Sequence, residues 1–374
     1  MDAAGKLAVI VLSSLIFSLP YTVHILSRLP AGSARFFACF PLFLLNKLTP
    51  SLFNVYDEIL LKLVVLFVFT WLANFKLVGL CMNRGPLAEE WSTAQTAAIC
   101  FLPIYPVPRA AGASNSKKGR LHDQAGDPSS LLIRWIVKLG VFCVVVVYLM
   151  SSELILTPFS TFALALVMYC FIGVLMDGPG SFVTYFLGFN IIPTFDQPWM
   201  SSSFADFWGR RWNITTSHML RAVVYDPIVE GCLVRTTYVK PSGKTVGHQS
   251  PADKLMSTFL GICATFLVSG IIHEAIFWCA MPDRAFRWKW LVFFTMQGPL
   301  VIMEYIVTQW CRMSRSLTQV SPWVTRPVVL AAMIYMGQHL FMAPAVLDTD
   351  LSQRVLLACK ASILIALDVV GISK

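Results

Sequence analysis

Again and again along this chain, about twenty residues pass with few or no charges, the length a helix needs to cross the hydrocarbon core of a bilayer. Leu7–Ser27 holds His24 as its one titratable residue, and Ile59–Val78 is interrupted only by Lys62 and Lys76, which are expected to snorkel to opposite surfaces. Trp135–Ser152, Leu154–Met176, Leu255–Met281, Trp290–Trp310, Pro327–Leu347 and Leu356–Ile372 follow. Shorter apolar runs at Phe36–Leu48, Thr93–Val107 and Ser181–Ile192 are read as half-crossing, tilted or re-entrant. The reading is an all-α polytopic membrane bundle of eight to ten crossing or half-crossing helices. Composition agrees: 56% of the residues are hydrophobic and 13% charged, where a soluble domain carries about 25% charge. A soluble globule, a disordered chain and a nucleic-acid-binding domain are thereby excluded. The net charge of +9 belongs to loops held near anionic headgroups, because the basic residues are scattered between apolar runs and form no stripe.

Residues 1–374 read as one membrane-embedded domain with no internal repeat. Its first apolar run lacks a small-residue cleavage site and is expected to be retained as a span. Residues 108–134, with Lys117, Lys118 and Arg120, form a flexible basic loop on the cytosolic side. Asp177-Gly178-Pro179-Gly180 reads as a turn. Residues 196–254 are the longest polar segment. The ten cysteines contain no C-x-x-C pair and lie mostly in apolar stretches, where free thiols behave as small apolar side chains.

Charge or titratable groups at membrane depth are costly and so require a reason. The run Leu255–Ile272 leads without a charge into His273 and Glu274, and Ser269 lies one turn back on the same helix face. Desolvation leaves an imidazole neutral, as a general base must be; the competing reading is a packing histidine bonded to a neighbouring helix. Zinc is disfavoured, because H-E-x-x-H would need a histidine where Phe277 stands. The second feature is Phe204-Ala-Asp-Phe-Trp-Gly-Arg-Arg-Trp-Asn213. Ser203 with Asp206 makes a helix cap, Asp206 and Arg210 can pair at i,i+4, and Trp208 and Trp212 would share a face. Arg210, Arg211, Trp208 and Trp212 together suit an anionic, aromatic-bearing ligand such as coenzyme A; the plainer reading is an interfacial aromatic belt. Asn213-Ile214-Thr215 is a glycosylation sequon, expected to carry no glycan because the segment faces the cytosol or the membrane surface. Glu304 is expected to pair with an arginine or line a cavity, and His339 to make an interhelical hydrogen bond or touch substrate. His24 is read as interfacial, and His218 as a further group within reach of the same ligand.

Phe207-Trp208-Gly209-Arg210-Arg211-Trp212-Asn213, then Leu220-Arg221 and Val224-Tyr225-Asp226-Pro227, resemble the signature of plant wax synthases, as do Ala264 through Glu274. This is the long-chain-alcohol O-fatty-acyltransferase branch of the membrane-bound O-acyltransferases. Trp71 through Lys76, Gly85-Pro86-Leu87 and Leu102-Pro103-Ile104 are similar to that branch too, so the likeness runs colinearly from about residue 60 to residue 345. The resemblance implies a bundle with an internal tunnel in the endoplasmic reticulum membrane. It implies acyl-CoA as co-substrate, with no permanently bound cofactor and no metal, and a lipophilic alcohol as acceptor. His273 takes the place of the family's catalytic histidine and Asn213 that of its asparagine. Ser269, Glu274 and Glu304 are supporting residues, and Arg210 and Arg211 either bind CoA phosphates or anchor the segment. A long-chain alcohol ranks first as acceptor, a sterol second, and acetyl transfer to diacylglycerol third. A transporter would scatter titratable residues over several spans. A hydrolase would use water in place of the alcohol, and no G-x-S-x-G elbow is present.

Overall fold

The computed structural model describes residues 2–107, 128–151, 154–235, 250–282, 288–313 and 321–369. Helix α1 (Ala3–Arg28) is followed by two short helices, α2 (Ser33–Ala38) and α3 (Phe40–Leu48). Then come α4 (Ile59–Cys81), α5 (Thr93–Phe101), α6 (Pro128–Met150) and α7 (Pro158–Leu187). Two short helices, α8 (Phe204–Asp206) and α9 (Ile214–Leu220), precede the long α10 (Pro251–Ala280), α11 (Lys289–Met313) and α12 (Pro322–Val346), and α13 (Leu351–Val369) closes the chain. Among the described residues, α1, α4, α6, α7, α10, α11 and α12 are long and apolar enough to span a membrane. Ile16, Val144, Tyr185 and Trp323 stand exposed on the outside of the bundle, as lipid-facing side chains do and water-facing ones rarely do. The final expected span, Leu356–Ile372, falls largely on α13. Arg354, Lys360 and Asp368 in that helix make it the most polar of the long helices.

Two expectations are corrected here. Asp177-Gly178-Pro179-Gly180 does not turn the chain; it lies inside the 30-residue helix α7, which continues to Leu187 through Pro179. Its glycines serve close packing: a Cβ on Gly178 would sit 2.6 Å from the Trp135 indole nitrogen, and one on Gly180 would strike Ile191. Trp135 donates its indole N–H to the Val174 carbonyl at 3.0 Å beside the proline, and Asp177 reaches across to Lys138 at 2.5 Å. Partners on α6 thus hold as helix a stretch whose local sequence favours a bend. Lys76, the second correction, does not snorkel. It is 1% exposed and donates to the carbonyls of Ile99 and Leu102 at 2.6 and 2.7 Å, capping the end of α5. Lys62 remains near one end of its span, bonded to the Phe53 carbonyl. Of the basic loop, residues 108–127 lie outside the described residues, and 128–134 are the first turns of α6. Residues 236–249 of the polar segment are likewise outside.

Helices α10 and α11 pack through small residues. A Cβ on Gly270 would meet the Leu291 carbonyl oxygen at 2.9 Å, and one on Gly298 the Cys263 Cα at 3.2 Å. Glu274, 3% exposed, accepts from the backbone N–H groups of Trp288 and Leu291 at 3.0 and 3.1 Å. Its charge is therefore spent on the N-terminus of the next helix, where the dipole favours an anion. Cys39 and Cys81 bring their sulfurs to 3.4 Å as free thiols.

Candidate active site

Extended chain carries the polar segment under the bundle. Ile192 N–H donates to the Tyr105 carbonyl and Val107 N–H to the Asn190 carbonyl, and Ile214 N–H donates to the Thr194 carbonyl. Ser203 caps α8 by accepting from Asp206 N–H at 2.9 Å. Glu304, on α11, accepts from Phe204 and Ala205 N–H at 3.2 and 3.1 Å. Among the described residues no arginine pairs with this carboxylate, contrary to one of its two expected roles; it repeats the Glu274 arrangement at a second helix start. After Asp206 the helix widens to a π-turn over Phe207–Arg211, and Trp212 is already extended. Trp208 and Trp212 are therefore not stacked on one helical face, yet both line the same space.

That space is a cavity of about 640 Å³. Its wall brings together Trp208, Arg210, Trp212 and Asn213 from the polar segment with Ser269 and His273 from α10, sixty residues further on. Trp71, Thr216, His218, Arg221, Tyr225, Phe266 and Phe294 complete much of the remainder.

His273 Nδ1 lies 2.7 Å from the Ser269 carbonyl oxygen. A carbonyl can only accept, so in the neutral ring Nδ1 carries the hydrogen and Nε2 keeps its lone pair. Phe294 stacks on the imidazole at 3.8 Å between centroids, and Trp71 meets it edge to face at 5.2 Å. Ser269 therefore acts through its backbone. The arrangement is an oriented, half-buried imidazole whose basic nitrogen meets no hydrogen-bond partner among the described residues.

Asn213 sits in the left-handed region at φ 41°, which asparagine tolerates better than most residues, and caps α9. Its Oδ1 accepts from Thr216 N–H at 3.3 Å, which leaves the amide N–H groups as the part a ligand can use. At 8% exposure the sequon offers no room for a glycan.

The two arginines part company. Arg211 is bound on several sides, to the Asp206 carboxylate at 2.8 Å and to the Asp196 carbonyl at 3.1 Å. Arg210 keeps the expected i,i+4 contact with Asp206 at 3.1 Å, but its side chain is 64% exposed and lines the cavity. Arg211 is engaged by a carboxylate and a carbonyl of its own segment, while Arg210, though paired with Asp206, keeps most of its side chain exposed. Trp208 donates its indole N–H to Gln297 Oε1 at 3.0 Å; Gln297 is fully buried and tied to the Phe293 carbonyl. Sequence reasoning passed over Gln297, although an amide at membrane depth is itself a signal of a polar partner.

His218 lines the cavity against the Tyr105 ring. Burial first, and Arg221 second, push its pKa down to about 4. His339 packs on Tyr335 and faces outward, and His24 is exposed; neither reaches the cavity. Trp71 was quoted only as part of a motif, and its place beside His273 could not be read from an apolar run. Among the described residues no group of three or more His, Cys, Asp or Glu side chains is gathered closely enough to hold a metal.

The model of the Membrane bound O-acyl transferase family matches residues 191–295, which span the polar segment and His273. The chain is 29% identical to acyl-CoA–sterol O-acyltransferase 1 of Arabidopsis thaliana over 317 residues, 82% of each chain. It is 29% identical to that plant's probable long-chain-alcohol O-fatty-acyltransferase 1, covering 92% of both. With probable long-chain-alcohol O-fatty-acyltransferase 8 it shares 28% over 98% of this chain and 96% of the relative.

Proposed function

From the match of residues 191–295 to that family model, we propose that the chain is a membrane-bound O-acyltransferase and that it moves an acyl chain from coenzyme A to the hydroxyl of a long-chain alcohol, giving a wax ester. The observation that carries the reading is the convergence of Asn213, Arg210 and His273 on one cavity. His273 Nε2 takes the proton of the alcohol as its oxygen attacks the thioester carbonyl. The amide N–H of Asn213 steadies the oxygen that becomes negative. Collapse expels the CoA thiolate, and the imidazolium returns the proton to sulfur, so no acyl-enzyme forms. Arg210 meets the phosphates of CoA at the cavity rim, while Trp208 and Trp212 furnish flat apolar wall. The alcohol enters from the bilayer, and the water-poor cavity holds the two reactants together, which supplies much of the rate. The membrane is that of the endoplasmic reticulum.

A sterol acceptor is the second reading, favoured by the likeness to the sterol acyltransferase. The experiment is to incubate purified protein in lipid vesicles with labelled acyl-CoAs and a panel of fatty alcohols, sterols and diacylglycerol. Wax ester as the main product supports the first reading, and steryl ester the second. Release of free CoA with no ester overturns both.

A further inference from the structure

Two residues of the cavity wall each bury a polar atom with no hydrogen-bond partner among the described residues: the indole nitrogen Nε1 of Trp71 and the hydroxyl Oγ1 of Thr216. Trp71 is 4% exposed and Thr216 7%. An orphaned donor at such depth is expensive, and native proteins seldom keep one without a use. Both are placed beside the proposed chemistry. Trp71 meets the His273 ring at 5.2 Å between centroids, and the backbone N–H of Thr216 is the one that Asn213 Oδ1 caps. Their elements pack together, since the next residue on α4, Leu72, is buried in one cluster with Ile214 and Met219 of α9.

An indole nitrogen can only donate, so what completes it must be an acceptor. Donation to the attacking alcohol oxygen would draw off the lone pair needed for attack, and His273 is already the acceptor for that oxygen's proton. The thioester carbonyl oxygen is the remaining candidate, because it gains charge as the carbonyl is attacked. We propose that Trp71 Nε1–H and Thr216 Oγ1–H are substrate-contacting donors that join the Asn213 amide in receiving this oxygen. The inference rests on the acyl-transfer reading given above. In the step itself the alcohol oxygen forms the new bond to carbon, its proton goes to His273 Nε2, and the carbonyl π electrons move onto the oxygen held by these donors and the Asn213 amide. Those electrons then return as the carbon–sulfur bond breaks, and the proton passes to the thiolate.

The test uses Thr216→Val, which keeps the shape and removes the donor, and Trp71→Phe, which keeps an aromatic ring, though a smaller one, and removes the donor. In vesicles the Trp71→Phe variant should lose about 10²-fold in kcat, in the range found when one oxyanion donor is removed, while KM for acyl-CoA stays near its original value. Thr216→Val should lose less. The thermal midpoint of Thr216→Val should hold or rise, because an unpaired buried group has been taken away, and that of Trp71→Phe should fall modestly, because the smaller ring leaves space in a packed wall. Binding provides the second readout, using an acyl-CoA analogue with CH2 in place of sulfur, which keeps the carbonyl, and an alkyl thioether of CoA, which lacks it. Trp71→Phe should weaken the first and leave the second unchanged. Unaltered kcat in both variants overturns the inference, as does equal weakening of both analogues. A parent protein that forms no ester at all defeats the acyl-transfer reading instead.

Discussion

Helices α6 and α7 bury a Lys138–Asp177 pair, and helix α10 holds His273 half-buried in the cavity wall; both place titratable groups where charge is costly. Lys138 and Asp177 satisfy each other at 2.5 Å, with Lys138 also lying over the Tyr169 and Phe195 rings. No cavity residue belongs to that pair. Among the described residues His273 is bonded on one side, through the Ser269 carbonyl, and its ring lines the cavity. Glu274 and Glu304 follow the first pattern, their charge absorbed by helix N-termini. Depth alone therefore does not mark chemistry. The mark is an ionisable group whose partners account for only part of its hydrogen-bonding capacity, with open space at the remainder.

Substitutions can break this contrast. Lys138→Met should cost about 3–5 kcal/mol by stranding the Asp177 charge, while Lys138→Met with Asp177→Leu recovers most of it. Thermal midpoints in detergent read this out, and turnover per folded molecule should be unaffected. Asn213→Asp keeps the capping oxygen and the tolerance of positive φ but removes the amide donors. It should lower kcat by about 10²-fold or more with little change in thermal midpoint; a loss in step with unfolding would make Asn213 a cap and nothing else. His218 tests the electrostatics of the cavity wall. Its folded pKa of about 4 lies below the usual 6.5, so the unfolded chain binds the extra proton first as pH falls. Stability is then full above pH 6.5 and declines toward pH 4 by up to about 3 kcal/mol. His218→Gln should flatten that acid-side slope in thermal scans between pH 7 and 4. The smallest effect separates the arginines: Arg210→Gln should raise KM for acyl-CoA about fivefold, as befits a solvent-exposed contact, whereas Arg211→Gln should chiefly lower the thermal midpoint.

Much of this was legible in advance because it is local. Spans follow from runs of apolar residues, the α8 cap from Ser203 and Asp206, the Arg210–Asp206 pair from i,i+4 spacing, and His273 from its interruption of an uncharged run. What escaped depends on partners distant in the chain. Asp177-Gly178-Pro179-Gly180 has the composition of a turn, and only Lys138 and Trp135 on a neighbouring helix keep it helical. Lys76 looked like an end-of-span lysine because the two carbonyls it caps lie more than twenty residues away. The different duties of Arg210 and Arg211 follow from the π-turn between Phe207 and Arg211, which no side-chain pattern announces. Trp71 and Gln297 were hidden for the same reason: their meaning lies in what faces them across the bundle.

The central claim is that His273 Nε2 takes the hydroxyl proton during direct acyl transfer. The most direct measurement compares single-turnover ester formation from labelled acyl-CoA and a long-chain alcohol by the parent protein and His273→Gln, in matched vesicles with equal thermal midpoints. The account predicts a rate at least about 10³-fold lower for the variant with acyl-CoA binding intact. Ester formation by His273→Gln at the parent rate would contradict it.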